Sequence, residues 1–183
     1  MKFRERWVNY LYHAATGSQK YRSSRTPIGL AIFGLFTALF VVLAIFSDKA
    51  LNLTWPFAGK FSQIIAYLLL TIGAGLTCWT GFQFRKARGT PVPVNPPQEL
   101  IVNGPYKLIR NPMLTGVFLL MFGLGFLMHS LSLVLVFTPL YALAHAWELK
   151  QIEEPELAMR FGDEFLAYRK RTPMFFPGIR LKK

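Results

Sequence analysis

His145 and Glu148 stand three residues apart, and Glu153 and Glu154 follow five and six residues after Glu148. Residues three apart share a helix face, so the first two would present a base and a carboxylate together. The spacing is similar to that of carboxylate-histidine metal sites in helical bundles. Such a site needs further Glu and His ligands from neighbouring helices, and none stand at matching positions, so no metal is expected. The single cysteine, Cys78, rules out an intrachain disulfide framework and a cysteine-rich metal site. GxGxxG, Walker, GxSxG and HExxH motifs are absent.

Two stretches have the composition of shaped, functional segments. Residues 86–112, KARGTPVPVNPPQELIVNGPYKLIRNP, hold six prolines, with Gly89 and Gly104, and cannot form a continuous helix. A loop of this length exceeds what a connector needs, and long ordered loops are disproportionately functional. The second stretch, ELKQIEEPELAMRFGDEFLAYRKRTPMFFP, alternates charged and apolar residues at helical spacing. It reads as two consecutive helices, with Pro155 in a first turn, Gly162 at a helix end and Asp163 as the next cap. Phe161, Phe165 and Tyr168 fall on one side of the second and are expected to pack against the membrane-proximal surface. Glu154 and Glu156 read as a solvated face.

The elements that must position these residues are legible in the charge pattern. The 183 residues are 52% hydrophobic and 16% charged. Uncharged runs of 22, 24 and 37 residues lie between Arg25 and Asp48, Lys60 and Arg85, and Arg110 and Glu148. A bilayer core about 30 Å thick takes about 20 apolar helical residues, so the first two runs each make one span. The third would form a helix of about 55 Å and is expected to fold back near His129-Ser130. The expectation is an all-α polytopic membrane protein with about four transmembrane helices.

Residues 1–26, 85–112 and 148–183 hold 19 of the 21 Lys and Arg residues, which puts both termini on the cytoplasmic side. The net charge of +12 follows from that topology and from anionic headgroups, so no nucleic-acid partner is expected. The first 26 residues are too polar for a cleaved signal peptide and read as mature protein. Trp7, Tyr10 and Leu11 within them suit an interfacial helix. The organisation is therefore a basic segment 1–26, two spans within 27–85, and a core of 86–183 containing a transmembrane hairpin at 113–147.

GTPVPVNPPQELIVNGPYKLIRNPM followed by EEPELAMRFGDEFLAYRKRTP resembles the isoprenylcysteine carboxyl methyltransferase and phospholipid methyltransferase family. The family pattern is a GxY loop and R(H/N)PxY-G before a helical hairpin, then EExxL, FG and a tyrosine. Gly104 to Tyr106, Arg110 to Gly116, Glu153 to Leu157, Phe161-Gly162 and Tyr168 stand in those places.

The resemblance implies an S-adenosylmethionine cofactor enclosed on the cytoplasmic side between the loop and the C-terminal segment. It also implies a lipid-like or small acceptor drawn from a bilayer-facing entrance. Cofactor contacts would fall on Gln98, Glu99, Leu100, Ile101, Tyr106, Asn111, Pro112, Met113, Leu114 and Glu153. Glu153 would meet the ammonium or ribose, Tyr106 and Leu114 would wall the adenine, and Arg110 would pair with an anionic group through its donor fork. Arg110 and Glu153 are the catalytic candidates. His145 or Glu148 is available to take a proton from an acceptor.

The chain departs from the family at Asn111 and Leu114, where histidine and tyrosine are common. It departs again at Leu149, where prenylcysteine enzymes carry a substrate-binding arginine. A phospholipid amine, a lipid-like carboxylate or a small thiol remain as acceptors. The competing expectations are an NADPH-dependent reductase of the sterol-reductase type and a non-catalytic membrane scaffold. A bacterial inner membrane is the expected location.

Overall fold

The computed structural model describes residues 3–178, which contain helices and loops and no strand. Helix α1 (Phe3–Thr16) leads through Ser18, whose side chain caps the next helix, into α2 (Gln19–Ala50). Helix α3 (Gly59–Lys86) follows. After the proline-rich loop come α4 (Pro112–Leu127), α5 (Thr138–Glu148) and α6 (Glu154–Arg171).

At about 1.5 Å per residue, the 32 residues of α2 and 28 of α3 give lengths of about 48 and 42 Å. Both are long and apolar enough to cross a membrane. Their outward rows, Ile28, Ile32, Leu35, Leu39 and Phe46 on α2 and Phe61, Ile64, Leu68 and Ile72 on α3, are exposed apolar surface. A surface this continuous suits lipid and not water. Helix α4 has 16 residues, and the chain reverses after it through His129, whose φ is +54°. The fold-back thus lies where the 37-residue run was expected to turn.

Three sets of contacts hold the bundle. Helices α3 and α4 approach backbone to backbone at Gly73 and Gly116, where a Cβ on Gly73 would stand 2.8 Å from the Gly116 carbonyl oxygen. Small residues at such crossings are how helices without a hydrophobic driving force still pack in lipid. Helix α5 buries Tyr141 completely against Phe36 and Phe40 of α2 and Phe118 of α4, and its hydroxyl shares a 2.7 Å hydrogen bond with Thr37. At the far end, Asp48 accepts hydrogen bonds from the Ser130 hydroxyl and the Ser132 amide, so an α2 carboxylate caps the helix that starts the return arm. Gly73→Ala is expected to destabilise the protein by about 1–3 kcal/mol through forced separation of α3 and α4. Gly75→Ala, whose Cβ meets nothing within 4 Å, should be neutral or slightly stabilising. Thermal unfolding of both variants in one detergent checks this.

The return arm departs from the sequence reading in one respect. A π-helical turn at Leu133–Phe137 leads into α5, and a second at Leu149–Glu153 leads into α6, so the helix does not stop before Pro155. Each π turn ends two residues before a proline, Pro139 or Pro155. Proline clashes with the carbonyl four residues back, and a widened turn relieves that clash without ending the helix. Gly162 breaks the regular geometry at φ +54°, ψ −132°, within α6, which is the helix end expected there.

Candidate functional site

The proline-rich loop is held from three sides. Thr90 and Asn95 close a turn through the Thr90 amide and hydroxyl, both donating to the Asn95 carbonyl. The Asn95 side-chain amide then donates to Thr26 of α2 at 2.9 Å, and Val92 sits directly on Gly29, where any Cβ would collide with it. Gln98 reaches the Ala15 carbonyl at the end of α1, Arg22 reaches Pro96, and Arg160 of α6 donates to the Pro97 carbonyl at 2.7 Å. Further along, Gly104 at φ +60° opens a 3-10 turn, Gly104–Lys107, packed closely on Gln83.

The loop's end is pinned to the chain beyond α6. The amides of Arg110 and Asn111 donate to the carbonyls of Pro173 and Met174, at 2.8 and 3.1 Å. The Arg110 guanidinium pairs with Glu154 and donates to the Thr172 and Arg169 carbonyls, and Arg169 reaches the other Glu154 oxygen at 3.5 Å. The Tyr168 hydroxyl donates to the Tyr106 carbonyl at 2.7 Å. Arg110 and Glu154 are both nearly buried, as are Glu156 and Arg160, an ion pair at 2.9 Å one turn further on. Glu154 and Glu156 are therefore not a solvated face. Each neutralises an arginine that fastens the loop or the chain beyond α6, and burial enforces the pairing.

Between loop and helices lies a cavity of about 370 Å³, within the range of small-molecule sites. Glu99, Leu100, Ile101, Tyr106, Arg110, Asn111, Met113, Leu114 and Glu153 all line it. Gln98 and Pro112 do not: Gln98 ties the loop to α1, and Pro112 is buried in the first turn of α4. Arg110 reaches the cavity, but its guanidinium is occupied by Glu154 and backbone carbonyls.

Leu11 of α1, Gly29, Leu30 and Phe33 of α2, and Thr77 and Phe84 of α3 complete the wall, as do Glu148, Arg160 and Phe161 of the return arm. The sequence reading did not place the first three helices in the site. Their contributions are mostly apolar, and apolar residues in apolar helices carry no local signal. Trp7 and Tyr10 stay exposed on the outer face of α1, while Val8 and Leu11 are buried beneath it. Phe165 and Tyr168 are buried, and both line the cavity together with Phe161.

The second π turn governs the acidic end. Five residues along an α-helix rotate a side chain about 140° away, but a π turn brings residues five apart back to one side. Glu148 and Glu153 consequently line the same cavity. Burial is the main force pushing the Glu153 carboxyl up, to about 8, with Glu148 and Glu156 adding to it and Arg160 opposing. Burial likewise lifts Glu148 to about 7. Burial and then the neighbouring Glu153 raise the Tyr106 hydroxyl, which stays neutral. The site is thus an apolar cavity with an unpaired acidic end poised near neutrality, a setting for a cationic guest.

Residues 61–164, from the start of α3 well into α6, match the model of the phospholipid methyltransferase family. The chain belongs to this family. The match covers the loop, the hairpin and the acidic turn, so most of the cavity's lining lies within it, while Leu11 of α1 and Gly29, Leu30 and Phe33 of α2 lie outside it.

The cobalt-zinc-cadmium resistance protein CzcN of Cupriavidus metallidurans is 37% identical over 82 residues, 45% of this chain and 37% of that protein. The nickel-cobalt-cadmium resistance protein NccN of Alcaligenes xylosoxydans xylosoxydans is 34% identical over 83 residues, 45% of this chain and 38% of its own length. The match thus spans less than two fifths of the length of these two relatives. Methanethiol S-methyltransferase of Crocosphaera subtropica is 24% identical over 92% of this chain and 71% of that protein. With two helices suited to crossing a bilayer, this phospholipid methyltransferase family member is a membrane protein.

Proposed function

We propose that the chain is an S-adenosylmethionine-dependent methyltransferase that binds its cofactor in the loop-enclosed cavity and methylates a small or lipid-like acceptor at the cytoplasmic membrane face. The observation that carries this reading is the pairing of Glu148 and Glu153 at one end of an otherwise apolar cavity. S-adenosylmethionine is cationic at its sulfonium and ammonium, with a flat adenine. Glu153 suits the ammonium or ribose, and Tyr106, Leu114 and Ile101 suit the ring. The methyl is activated by the sulfonium itself, so the chain's task is to align the acceptor and exclude water, and orientation alone is worth about 7 to 11 kcal/mol. Gln98 and Pro112 support the loop, and Arg110 acts as its anchor.

Charge speaks against the nicotinamide reading. The cavity's guanidinium groups, Arg110 and Arg160, are already paired with Glu154 and Glu156, which leaves no cation for a ribose phosphate. Two relatives are named for metal resistance; among the described residues no three His, Cys, Asp or Glu stand together in a group that could hold an ion. Methanethiol in the third relative's name keeps a small thiol among the acceptors, beside a lipid amine and a lipid carboxylate.

In this reading α4 and the return arm are the remaining two spans of a four-helix membrane bundle, and the excess of basic residues in 1–26, 85–112 and 148–183 supports a cytoplasmic location for the cavity end and both termini, in a bacterial inner membrane. Calorimetric titration of the detergent-purified protein tests the reading. S-adenosylhomocysteine should bind at micromolar concentration and NADPH should not. Binding of NADPH alone would establish a reductase, and binding of neither by folded protein would leave a scaffold.

A further inference from the structure

The cavity contains a titratable group, His145, that neither cofactor binding nor the ion pairs use. His145 lines the cavity one turn before Glu148 and Leu149. Its ring packs 4.5 Å from the Tyr141 ring centroid and 5.9 Å from both Phe33 and Phe36 of α2. Its Nε2 is buried and has no hydrogen-bond partner among the described residues. A buried nitrogen without a partner is uncommon, and an ionisable side chain within an apolar span is ordinarily kept for function. Leu30 and Phe33 wall the cavity beside it. Leu30 is 48% exposed and Phe36 37%, so this end lies one side chain from the apolar outer surface of α2.

We propose that this aromatic end is the acceptor subsite, that it takes a neutral thiol on an apolar body entering beside α2, and that His145 Nε2 removes the thiol proton. The inference rests on the cofactor reading above. In the step, the S–H bond breaks and its proton passes to Nε2, while the sulfur lone pair forms the new S–CH3 bond. The bond from the methyl carbon to the sulfonium breaks with its electrons on the departing sulfur, leaving neutral S-adenosylhomocysteine. The imidazolium then returns its proton to water.

The surroundings select the thiol over the other two classes. A carboxylate would need a cation, but both cavity arginines are paired, and the neighbouring position 149 is a buried leucine. An amine arrives as an ammonium that holds its proton to about 10.4, whereas a thiol yields its own at about 8.5, so the thiol is the easier of the two for a neutral imidazole to deprotonate. The three aromatic rings also favour a soft, polarisable sulfur.

The test uses the full chain in lipid nanodiscs with S-adenosylmethionine and three octyl probes: octanethiol, octylamine and octanoate. A series of aryl thiols of falling pKa completes the set. Methylation of octanethiol alone is the expected result. His145→Ala should lower octanethiol kcat about 100-fold or more, with KM and S-adenosylhomocysteine affinity within a few-fold of the parent. The loss should shrink steadily as the aryl thiol becomes more acidic, because an ionised thiol needs no base. A loss equal across the series would reduce His145 to a packing residue and overturn its role, as would an unaltered kcat. Methylation of octylamine or octanoate but not the thiol would overturn the acceptor class. If the parent protein failed to bind S-adenosylhomocysteine, the cofactor reading would fall, and this inference with it.

Discussion

Glu154→Ala is expected to destabilise the protein by about 3 to 5 kcal/mol, the usual consequence of removing one partner of a buried ion pair. The carboxylate sits between Arg110 and Arg169, with side-chain exposures of 12% and 30%, and is itself 11% exposed. Without it, the nearly buried Arg110 guanidinium loses its counterion and faces the partly exposed Arg169, and the attachment of the loop's end to the chain after α6 carries their repulsion. For a chain of this size the midpoint of thermal unfolding should fall by roughly 10 °C. Arg110→Ala should cost a comparable amount, since it leaves Glu154 with only the longer contact to Arg169 and strips donors from the Thr172 and Arg169 carbonyls. The double substitution should cost clearly less than the sum. Tryptophan fluorescence during heating in a mild detergent measures all three. Losses below 1 kcal/mol in both single variants would mean that the pair does not hold the loop.

Glu153→Gln should weaken cofactor binding by about 100-fold while leaving the fold intact or firmer. Because Glu153 is held up at about 8, most of it is protonated at pH 7, and ionising it to meet a cation there costs about 1.4 kcal/mol. Affinity for S-adenosylmethionine in the parent protein should accordingly rise about tenfold from pH 7 to 9 and then level, with proton release on binding below pH 8. The amide variant should show no such rise from this position, and any slope left would report Glu148, held near 7.

The same shift acts on folding with the opposite benefit. A carboxyl raised in the folded state favours folding at low pH and disfavours it as pH climbs from about 4.5 through 8. The parent should therefore lose thermal stability across that window relative to Glu153→Gln. Titrations at several pH values, paired with unfolding scans, would show whether binding and stability respond in these opposite directions. Equal affinity for parent and variant at pH 9 would remove Glu153 from the site.

How the site is assembled explains what could be read before the structure. The family motifs lie on residues whose backbone does something local and unusual. Gly104 at positive φ, the Asn111-Pro112 helix start and Gly162 at its kink each leave a trace in residue type, and so all three were legible. The placement of the loop was not. It depends on Asn95 meeting Thr26, Val92 meeting Gly29 and Arg160 meeting Pro97, contacts between residues more than 60 positions apart with no sequence signature of their own.

What the sequence by itself determined is the partition of the chain. Charge-free runs long enough for a bilayer, a 37-residue run that has to reverse, and proline-rich chain that cannot be helical are one-dimensional properties. They were enough to place α2, α3 and the reversal at His129, because the solvent acts on each segment separately. Tertiary structure alone decided which side chains share the cavity. A 3.6-residue period turns Glu153 away from Glu148, and only the π turn, widened ahead of Pro155, brings the two carboxylates together. Glu154 and Glu156 read as solvated by the same local logic, yet packing buries them, and burial forces the pairing with arginines that locks the loop in place.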